Sequence, residues 1–125
     1  MKKIPKSILI IIYTKNKDVL LLKKINDKDM WQSVTGSMQE NETALDAAKR
    51  ELLEETGLNS DNLIDCKKEY VFEIYEMWRH KYDDGVTHNT EHVFKLELDD
   101  IIDINMDKEE PVSYTHLTLP TIVDV

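Results

Sequence analysis

Apolar and polar residues follow two periods along this 125-residue chain, one typical of strands and one typical of a helix. Apolar runs over residues 7–14 and 19–23, separated by a polar turn, predict a β-hairpin. Partial alternation over residues 64–75, with an irregularity near 67–69, predicts one or two further strands. Residues 91–98 predict another strand, whose apolar face carries His92, Phe94, Leu96 and Leu98.

Residues 44–56 carry the signals of a helix. Thr43 is placed to cap its N-terminus with Asp46 as a partner three residues on, and Gly57 supplies a left-handed stop. Helical spacing predicts an apolar stripe made of Leu45, Ala48 and Leu52. One marked helix among several strands predicts a single domain of the α+β class.

Composition limits the classes of function. With 41% hydrophobic and 33% charged residues, the chain is typical of a soluble globular domain, and no segment approaches the roughly 20 apolar residues of a membrane span. The net charge of −9 argues against a nonspecific grip on nucleic acid, although a cation could offset it for a small phosphorylated ligand. The single Cys66 excludes an internal disulfide and suits a reducing cytoplasm. The apolar N-terminal run is too short for a secretory signal.

Three carboxylates crowd one face of the predicted helix. Glu51, Glu54 and Glu55 stand at i, i+3 and i+4, a spacing at which like charges weaken a helix by a few tenths of a kcal/mol per pair. A hard divalent cation such as Mg²⁺ would compensate, because it takes oxygen ligands together with substrate phosphates. A solvated acidic face is the alternative, and the spacing alone does not decide between them.

The whole run from Gly36 to Leu58 resembles the signature of the Nudix hydrolases, G-x5-E-x7-R-E-U-x-E-E-x-G-U with U aliphatic. The nine fixed positions match without insertion: Gly36, Glu42, Arg50, Glu51, Leu52, Glu54, Glu55, Gly57 and Leu58. The resemblance implies an α/β/α sandwich with a mixed sheet, and Mg²⁺, or alternatively Mn²⁺, held by Glu51, Glu54 and Glu55.

The resemblance also implies roles for neighbouring residues. We expect a tight turn at Gly36, whose carbonyl would complete the metal site. Arg50 and Glu42 are expected to form a helix-end salt bridge rather than to touch substrate. Glu110 lines up best with a further carboxylate that serves relatives as general base and metal ligand, and an exposed acidic turn explains it equally well.

Matches outside the signature resemble the bacterial dihydroneopterin triphosphate diphosphatase branch of the family. They lie at Ser7-Ile-Leu, Trp31 to Ser37, Ile64-Asp-Cys66, Phe72-Glu-Ile74, Arg79-His80, Gly85-Val-Thr87 and Asn89-Thr-Glu91. This implies hydrolysis of dihydroneopterin triphosphate to the monophosphate and pyrophosphate in folate synthesis, with nucleoside triphosphates such as dATP as further substrates. The runner-up is a Nudix module that binds a phosphorylated ligand without turnover.

Candidate substrate contacts flank the signature on both sides. Trp31 is either a loop anchor or a ligand contact. Arg79, His80, Lys81 and Tyr82 could supply cations for phosphate and an aromatic ring for the pterin, or the histidine could be an ordinary loop residue.

The tail departs from the family pattern after residue 110. Pro-Val-Ser-Tyr-Thr-His-Leu, residues 111–117, is similar to the in-frame translation of a transposon-end sequencing adapter. We therefore expect a native domain over residues 1–110, a non-native tail over 111–125, and no C-terminal strand or helix closing the domain. The alternative is a natural divergent tail with β-propensity.

Overall fold

A mixed sheet with one long helix packed on it forms the fold in a computed structural model, which describes residues 2–15, 18–24, 33–99 and 112–118. The predicted α+β class is confirmed. In chain order the elements are β1 (Lys6–Thr14), β2 (Asp18–Lys24), β3 (Val34–Ser37), α1 (Ala44–Thr56), β4 (Leu63–Glu73), a 3-10 helix (Glu76–Lys81), β5 (His88–Leu98) and β6 (Val112–Thr118).

The sheet is built around β1. Its strand order is β4-β5-β1-β2-β6, with β1 parallel to β5 and antiparallel to β2. The short β3 pairs antiparallel with the first half of β1, where Ser7 lies opposite Ser37 and Ile8 opposite Gly36. Ser7 also lies opposite Glu91 on β5. One end of the sheet therefore brings the start of β1, the end of β3 and the start of β5 together.

Alternation along β1 fixes which face meets the helix. Ile8, Ile10 and Ile12 are all within 1% of full burial and form one core with Phe94 and Leu96 of β5. Each such side chain contributes about 1.5–3 kcal/mol by leaving water. From α1, the core receives Ala47, Ala48 and Leu52, all fully buried.

The prediction that Leu45 belongs to the buried stripe of α1 is wrong. Leu45 lies in the first turn and is 43% exposed, and the fully buried contact with the sheet begins at Ala47. The small alanines at positions 47 and 48 let the helix approach the sheet closely. This close approach brings the glutamate-bearing face of α1 to the end of β3.

The predicted ends of α1 are confirmed. The hydroxyl of Thr43 accepts a hydrogen bond from the Asp46 amide at 3.1 Å, and the Asp46 carboxylate accepts one from the Thr43 amide at 3.2 Å. At the other end Gly57 has φ 74° and donates its N–H to the Leu53 carbonyl at 2.9 Å. The motif glutamates thus stand on a helix with both ends satisfied.

The predicted irregularity in β4 is a β-bulge between Asp65 and Lys68. Lys67 takes a left-handed conformation with φ 54°, and its amide donates to the Asp65 carboxylate at 2.7 Å. The same carboxylate oxygen lies 2.6 Å from Nε2 of His92 on β5. The bulge is therefore fastened by side chains on both strands.

The tail gives a correction. Val112–Thr118 forms β6, antiparallel to β2 along the whole of Asp18–Lys24, so the expectation that no C-terminal strand forms is wrong. Valine, tyrosine and threonine are strong strand formers, and the edge of β2 offers them hydrogen bonds. The domain boundary at residue 110 and the lack of a closing helix stay predictions. No helix in the described ranges is both long enough and apolar enough to span a membrane.

Candidate active site

The three motif glutamates differ in burial because α1 rests against the sheet on one side. Glu55 is 5% exposed, and the side chain of Glu51 is 14% exposed. Glu54 is 47% exposed and lies on the open side of the helix. Over one helical turn the three carboxylates therefore range from buried to exposed. A ligand bound by them would lie at the boundary between the protein interior and solvent.

Gly36 makes room for the carboxyl group of Glu51. A Cβ built on Gly36 would lie 2.5 Å from Oε1 and 2.7 Å from Cγ of Glu51, far inside normal contact distance. The expectation of a tight turn here is wrong, since Gly36 lies within β3 and is not among the glycines with positive φ. Glycine is required at this position for space, because it lets the carboxylate approach the backbone of β3.

Arg50 joins the motif loop to the helix, as the sequence predicted. Its Nε and Nη2 donate to the two oxygens of Glu42 at 2.7 and 3.0 Å, and Nη2 also donates to the Ser37 carbonyl at 3.1 Å. The paired guanidinium lowers the pKa of Glu42, and the Glu42 carboxylate in turn raises the pKa of Arg50. The Gln39 amide also donates to Glu42, at 2.7 Å. Bidentate pairing of this kind fixes geometry as well as charge.

The same arginine contacts two of the proposed metal ligands. Nη1 donates to Glu51 at 2.6 Å and lies 3.5 Å from Glu54. Within the described residues, no three histidine, cysteine, aspartate or glutamate side chains are gathered closely enough to hold a metal ion. The carboxylates share a helix face, but this arrangement points two of them at a guanidinium.

The donor set still suits a hard divalent cation. Three carboxylates and a main-chain carbonyl are all oxygen donors, which is what Mg²⁺ and Mn²⁺ prefer. The cradle at Gly36 lets the Glu51 carboxylate come close to that carbonyl. The residues present therefore fit the ion that the sequence predicted, given a rotation of flexible glutamate side chains away from Arg50.

Among the predicted substrate contacts around the 3-10 helix, Arg79 has its side chain engaged elsewhere, whereas the contacts of His80 and Tyr82 are made by their backbones. Arg79 donates to the Ile74 carbonyl at 3.1 Å and lies 3.4 Å from the Glu73 carboxylate. His80 is exposed, and its carbonyl accepts a hydrogen bond from the Lys2 ammonium at 2.8 Å. Tyr82 forms a backbone bridge with Lys3, and burial raises the pKa of its phenol.

Those contacts attach the 3-10 segment to the N-terminus and to the end of β4 rather than to the motif. The ammonium of Lys81 lies 5.8 Å from the ring centroid of Trp78, which itself packs edge-on against Tyr75. The role of the segment in substrate binding stays a prediction. Trp31 and Glu110 lie outside the described residues.

Sequence reasoning gave no role to a polar group on the sheet face opposite α1. The Glu91 carboxylate accepts a hydrogen bond from the Ser7 hydroxyl at 3.1 Å, and the Asn89 amide donates to that hydroxyl at 2.8 Å. The Thr35 hydroxyl donates to the Ile8 carbonyl at 2.9 Å and lies 3.4 Å from the same Glu91 oxygen. Asn89 and Ser7 are 3% and 8% exposed. Burial raises the pKa of Glu91, while the two hydroxyls oppose that shift. The available signal was polar residues interrupting apolar strands, but the contacting residues lie 56 to 84 positions apart in sequence.

Comparison with known proteins agrees with this geometry. The model of the NUDIX domain family matches residues 3–121. The chain is 48% identical over 99 residues to dihydroneopterin triphosphate diphosphatase of Escherichia coli strain K12, and 44% identical over 98 residues to that of Haemophilus influenzae. These alignments cover 75% and 74% of this chain but 66% and 62% of the relatives, so the chain spans slightly less than two thirds of their length.

A solved structure is also similar. The structure of the E. coli dihydroneopterin triphosphate pyrophosphohydrolase superposes with a TM-score of 0.84 at 43% sequence identity. That comparison covers 94% of this chain and 83% of the other. The Nudix-type sandwich expected from the signature is therefore confirmed as the fold.

Proposed function

The chain belongs to the Nudix domain family, and from that premise we propose that it hydrolyses dihydroneopterin triphosphate to dihydroneopterin monophosphate and pyrophosphate. The observation that carries the proposal is the joint placement of Gly36, Arg50 and Glu51, in which the glycine gives the carboxylate access to the β3 backbone. The choice of substrate rests on the similarity to relatives named for that activity.

The metal would be held by Glu51, Glu54 and Glu55 with the Gly36 carbonyl. We favour Mg²⁺, with Mn²⁺ as the alternative, because the donors are all oxygens. When bound, the divalent ion supplies positive charge for the phosphate oxygens and lowers the pKa of water. A triphosphate carries about four negative charges, and this chain has a net charge of −9, so such an offset is needed.

The protein's own residues would orient the reacting groups. Arg50 donates hydrogen bonds to Glu42 and to the Ser37 carbonyl, and so holds the loop of residues 37–42 against α1. The Glu51 carboxylate is thereby kept between the loop and the helix, within reach of the phosphate chain. Glu110 remains our candidate for the base that accepts a proton from the attacking water, and Trp31 our candidate for a contact with the ring.

The reaction would take place in the cytoplasm as part of folate synthesis, since a single half-buried Cys66 suits a reducing compartment. The partner would be a small triphosphate, with neither nucleic acid nor membrane involved. Nucleoside triphosphates such as dATP are second substrates to test, and ligand binding without turnover is the alternative function.

The test is pyrophosphate release from dihydroneopterin triphosphate with and without Mg²⁺. Glu55→Gln should lower the rate by at least about 100-fold, because it replaces a buried anionic ligand with a neutral amide. Glu40→Gln is the control for the same change of side chain, since Glu40 is exposed in the loop that precedes α1 and occupies a variable position of the signature. Equal rates for Glu55→Gln and wild type would remove the proposed metal role, and ligand binding without any release would favour the alternative.

A further inference from the structure

The polar group formed by Ser7, Thr35, Asn89 and Glu91 holds one carboxylate in a fixed orientation. The Ser7 hydroxyl donates to Oε2 of Glu91 at 3.1 Å, and the Thr35 hydroxyl, whose proton is directed to the Ile8 carbonyl at 2.9 Å, lies 3.4 Å from the same oxygen. The donor from Ser7 is itself positioned by Asn89, whose side chain is almost completely buried. In the described part of the chain these hydrogen bonds leave Oε1 as the oxygen available to a ligand.

A purely structural role explains this arrangement poorly. Removing a carboxylate from water is unfavourable unless it is paired with a cation or a metal, yet its partners here are two neutral hydroxyl groups. An apolar residue at position 91 would avoid that penalty, as Val93 does one step along the same face of β5. The partly buried carboxylate is instead placed to accept hydrogen bonds from a ligand.

The position of Glu91 relative to the motif suits a group at the far end of the substrate. Thr35, which contacts Glu91, directly precedes Gly36, whose carbonyl is the proposed metal ligand. Strands β3 and β5 lie on either side of β1, so the Cα atoms of Glu91 and Gly36 are about 10 Å apart, two strand spacings. The three-carbon chain and the ring of a pterin triphosphate together span a comparable distance from the phosphates.

Resting on the proposed function, we propose that Glu91 reads the ring of the substrate by accepting hydrogen bonds from its 2-amino and N3–H groups. That edge presents two adjacent donors, and Oε1, which has two lone pairs, is the acceptor for both. Adenine presents an acceptor beside its amino group and would set one lone pair against the carboxylate. Glu91 is therefore a specificity-determining residue that favours the 2-amino-4-oxo ring over adenine.

The first experiment measures ring binding without phosphate or metal. Fluorescence titration of the metal-free wild-type protein with dihydroneopterin and with its 2-oxo analogue should show at least about 10-fold tighter binding of the amino compound, since a missing or repulsive hydrogen bond to a charged group has about that effect. Equal affinities would overturn the inference. This comparison needs no variant and is independent of turnover.

The second experiment compares Glu91→Gln with Glu97→Gln, an exposed residue on the same face of β5. Glu91→Gln should lower kcat/KM for dihydroneopterin triphosphate by about 10- to 100-fold, mostly through KM, and should not lower that for dATP, because it removes the charge that faces the adenine acceptor. Glu97→Gln should behave as wild type on both substrates. An equal loss on both substrates, or no loss, would refute ring reading by Glu91.

The two proposals fail differently. If wild type releases no pyrophosphate from dihydroneopterin triphosphate, the proposed function fails, and the titration with the phosphate-free ring still decides the role of Glu91. If wild type is active but does not distinguish the amino compound from its 2-oxo analogue, the proposed function stands and the role of Glu91 fails.

Discussion

Replacement of Gly36 by alanine would test the proposed role of this residue in catalysis separately from its role in folding. The added Cβ would lie 2.5 Å from Oε1 and 2.7 Å from Cγ of Glu51, whereas carbon atoms in contact are normally about 3.5–4.0 Å apart. The atoms in the way belong to the far end of a flexible side chain, and Gly36 does not have positive φ. We therefore expect the Glu51 carboxylate to move by about 1 Å while the backbone stays in place.

The cost in stability should be small. The displaced carboxylate would lose its hydrogen bond from Arg50, which has a length of 2.6 Å, while the arginine keeps Glu42 and the Ser37 carbonyl. The net value of one hydrogen bond is about 1 kcal/mol, so the free energy of unfolding should fall by about that amount. Urea denaturation followed by circular dichroism would measure it.

The cost in activity should be much larger. A shift of about 1 Å in a group that positions the reacting atoms can lower the rate by about 100-fold. We expect Gly36→Ala to lose that factor in kcat/KM for pyrophosphate release and to need more Mg²⁺ for half-maximal rate, because one ligand no longer sits in its cradle. A Mg²⁺ titration of the initial rate is the assay.

Gly85→Ala is the control for the effect of an added methyl group. Gly85 has φ 87° with open space around it, so alanine there should cost about 1–2 kcal/mol through backbone strain and leave kcat/KM unchanged. The pair would thus lose similar stability but differ in activity. Full activity in Gly36→Ala would show that the cradle does not position Glu51, and a loss above about 3 kcal/mol would show that the backbone, not the side chain, gives way.

Three further predictions concern the charges and the helix end. Arg50→Lys should lower the free energy of unfolding by about 1–2 kcal/mol by urea denaturation, since an ammonium cannot reproduce the two-oxygen grip on Glu42; an unchanged midpoint would contradict this. Thr43→Ala should cost about 1 kcal/mol through loss of the cap, seen as a lower Tm with unchanged activity per folded molecule. Burial raises the pKa of Glu91 above its ordinary value of 4.5, so the native state binds the proton more tightly, and stability should fall as pH rises from about 4.5 through the raised pKa. The Tm of Glu91→Gln minus the Tm of wild type should therefore be more positive at pH 7 than at pH 4. A Tm difference that does not change with pH would contradict the raised pKa of Glu91.

Local signals predicted the helix and its ends well. Each of these features is a contact between residues at most eight positions apart: Thr43 with Asp46, Gly57 with Leu53, and Arg50 with Glu42. At that range the periodicity of the helix fixes which side chains can meet. The strand limits were close for the same reason, because alternation shows directly which residues face a core.

Features that depend on packing between distant segments were missed or misassigned. The reason for glycine at position 36 is a carboxylate arriving from α1, which no turn propensity expresses. The exposure of Leu45 depends on where the helix first meets the sheet. The hydrogen bond between Ser7 and Glu91 joins residues 84 positions apart through the parallel pairing of β1 with β5. Sequence periodicity contains no information on such strand neighbours.

The position of Arg50 affects how the protein would bind the proposed metal ion. Three glutamates on one helical turn would destabilise α1 in the absence of a cation, but the guanidinium already lies 2.6 Å from one and 3.5 Å from another. Arg50 is thus a counter-ion supplied by the protein itself, and binding of the proposed metal ion would exchange one positive partner for another. The domain would then fold before it acquires metal, so that chelation should stop catalysis while leaving the fold intact.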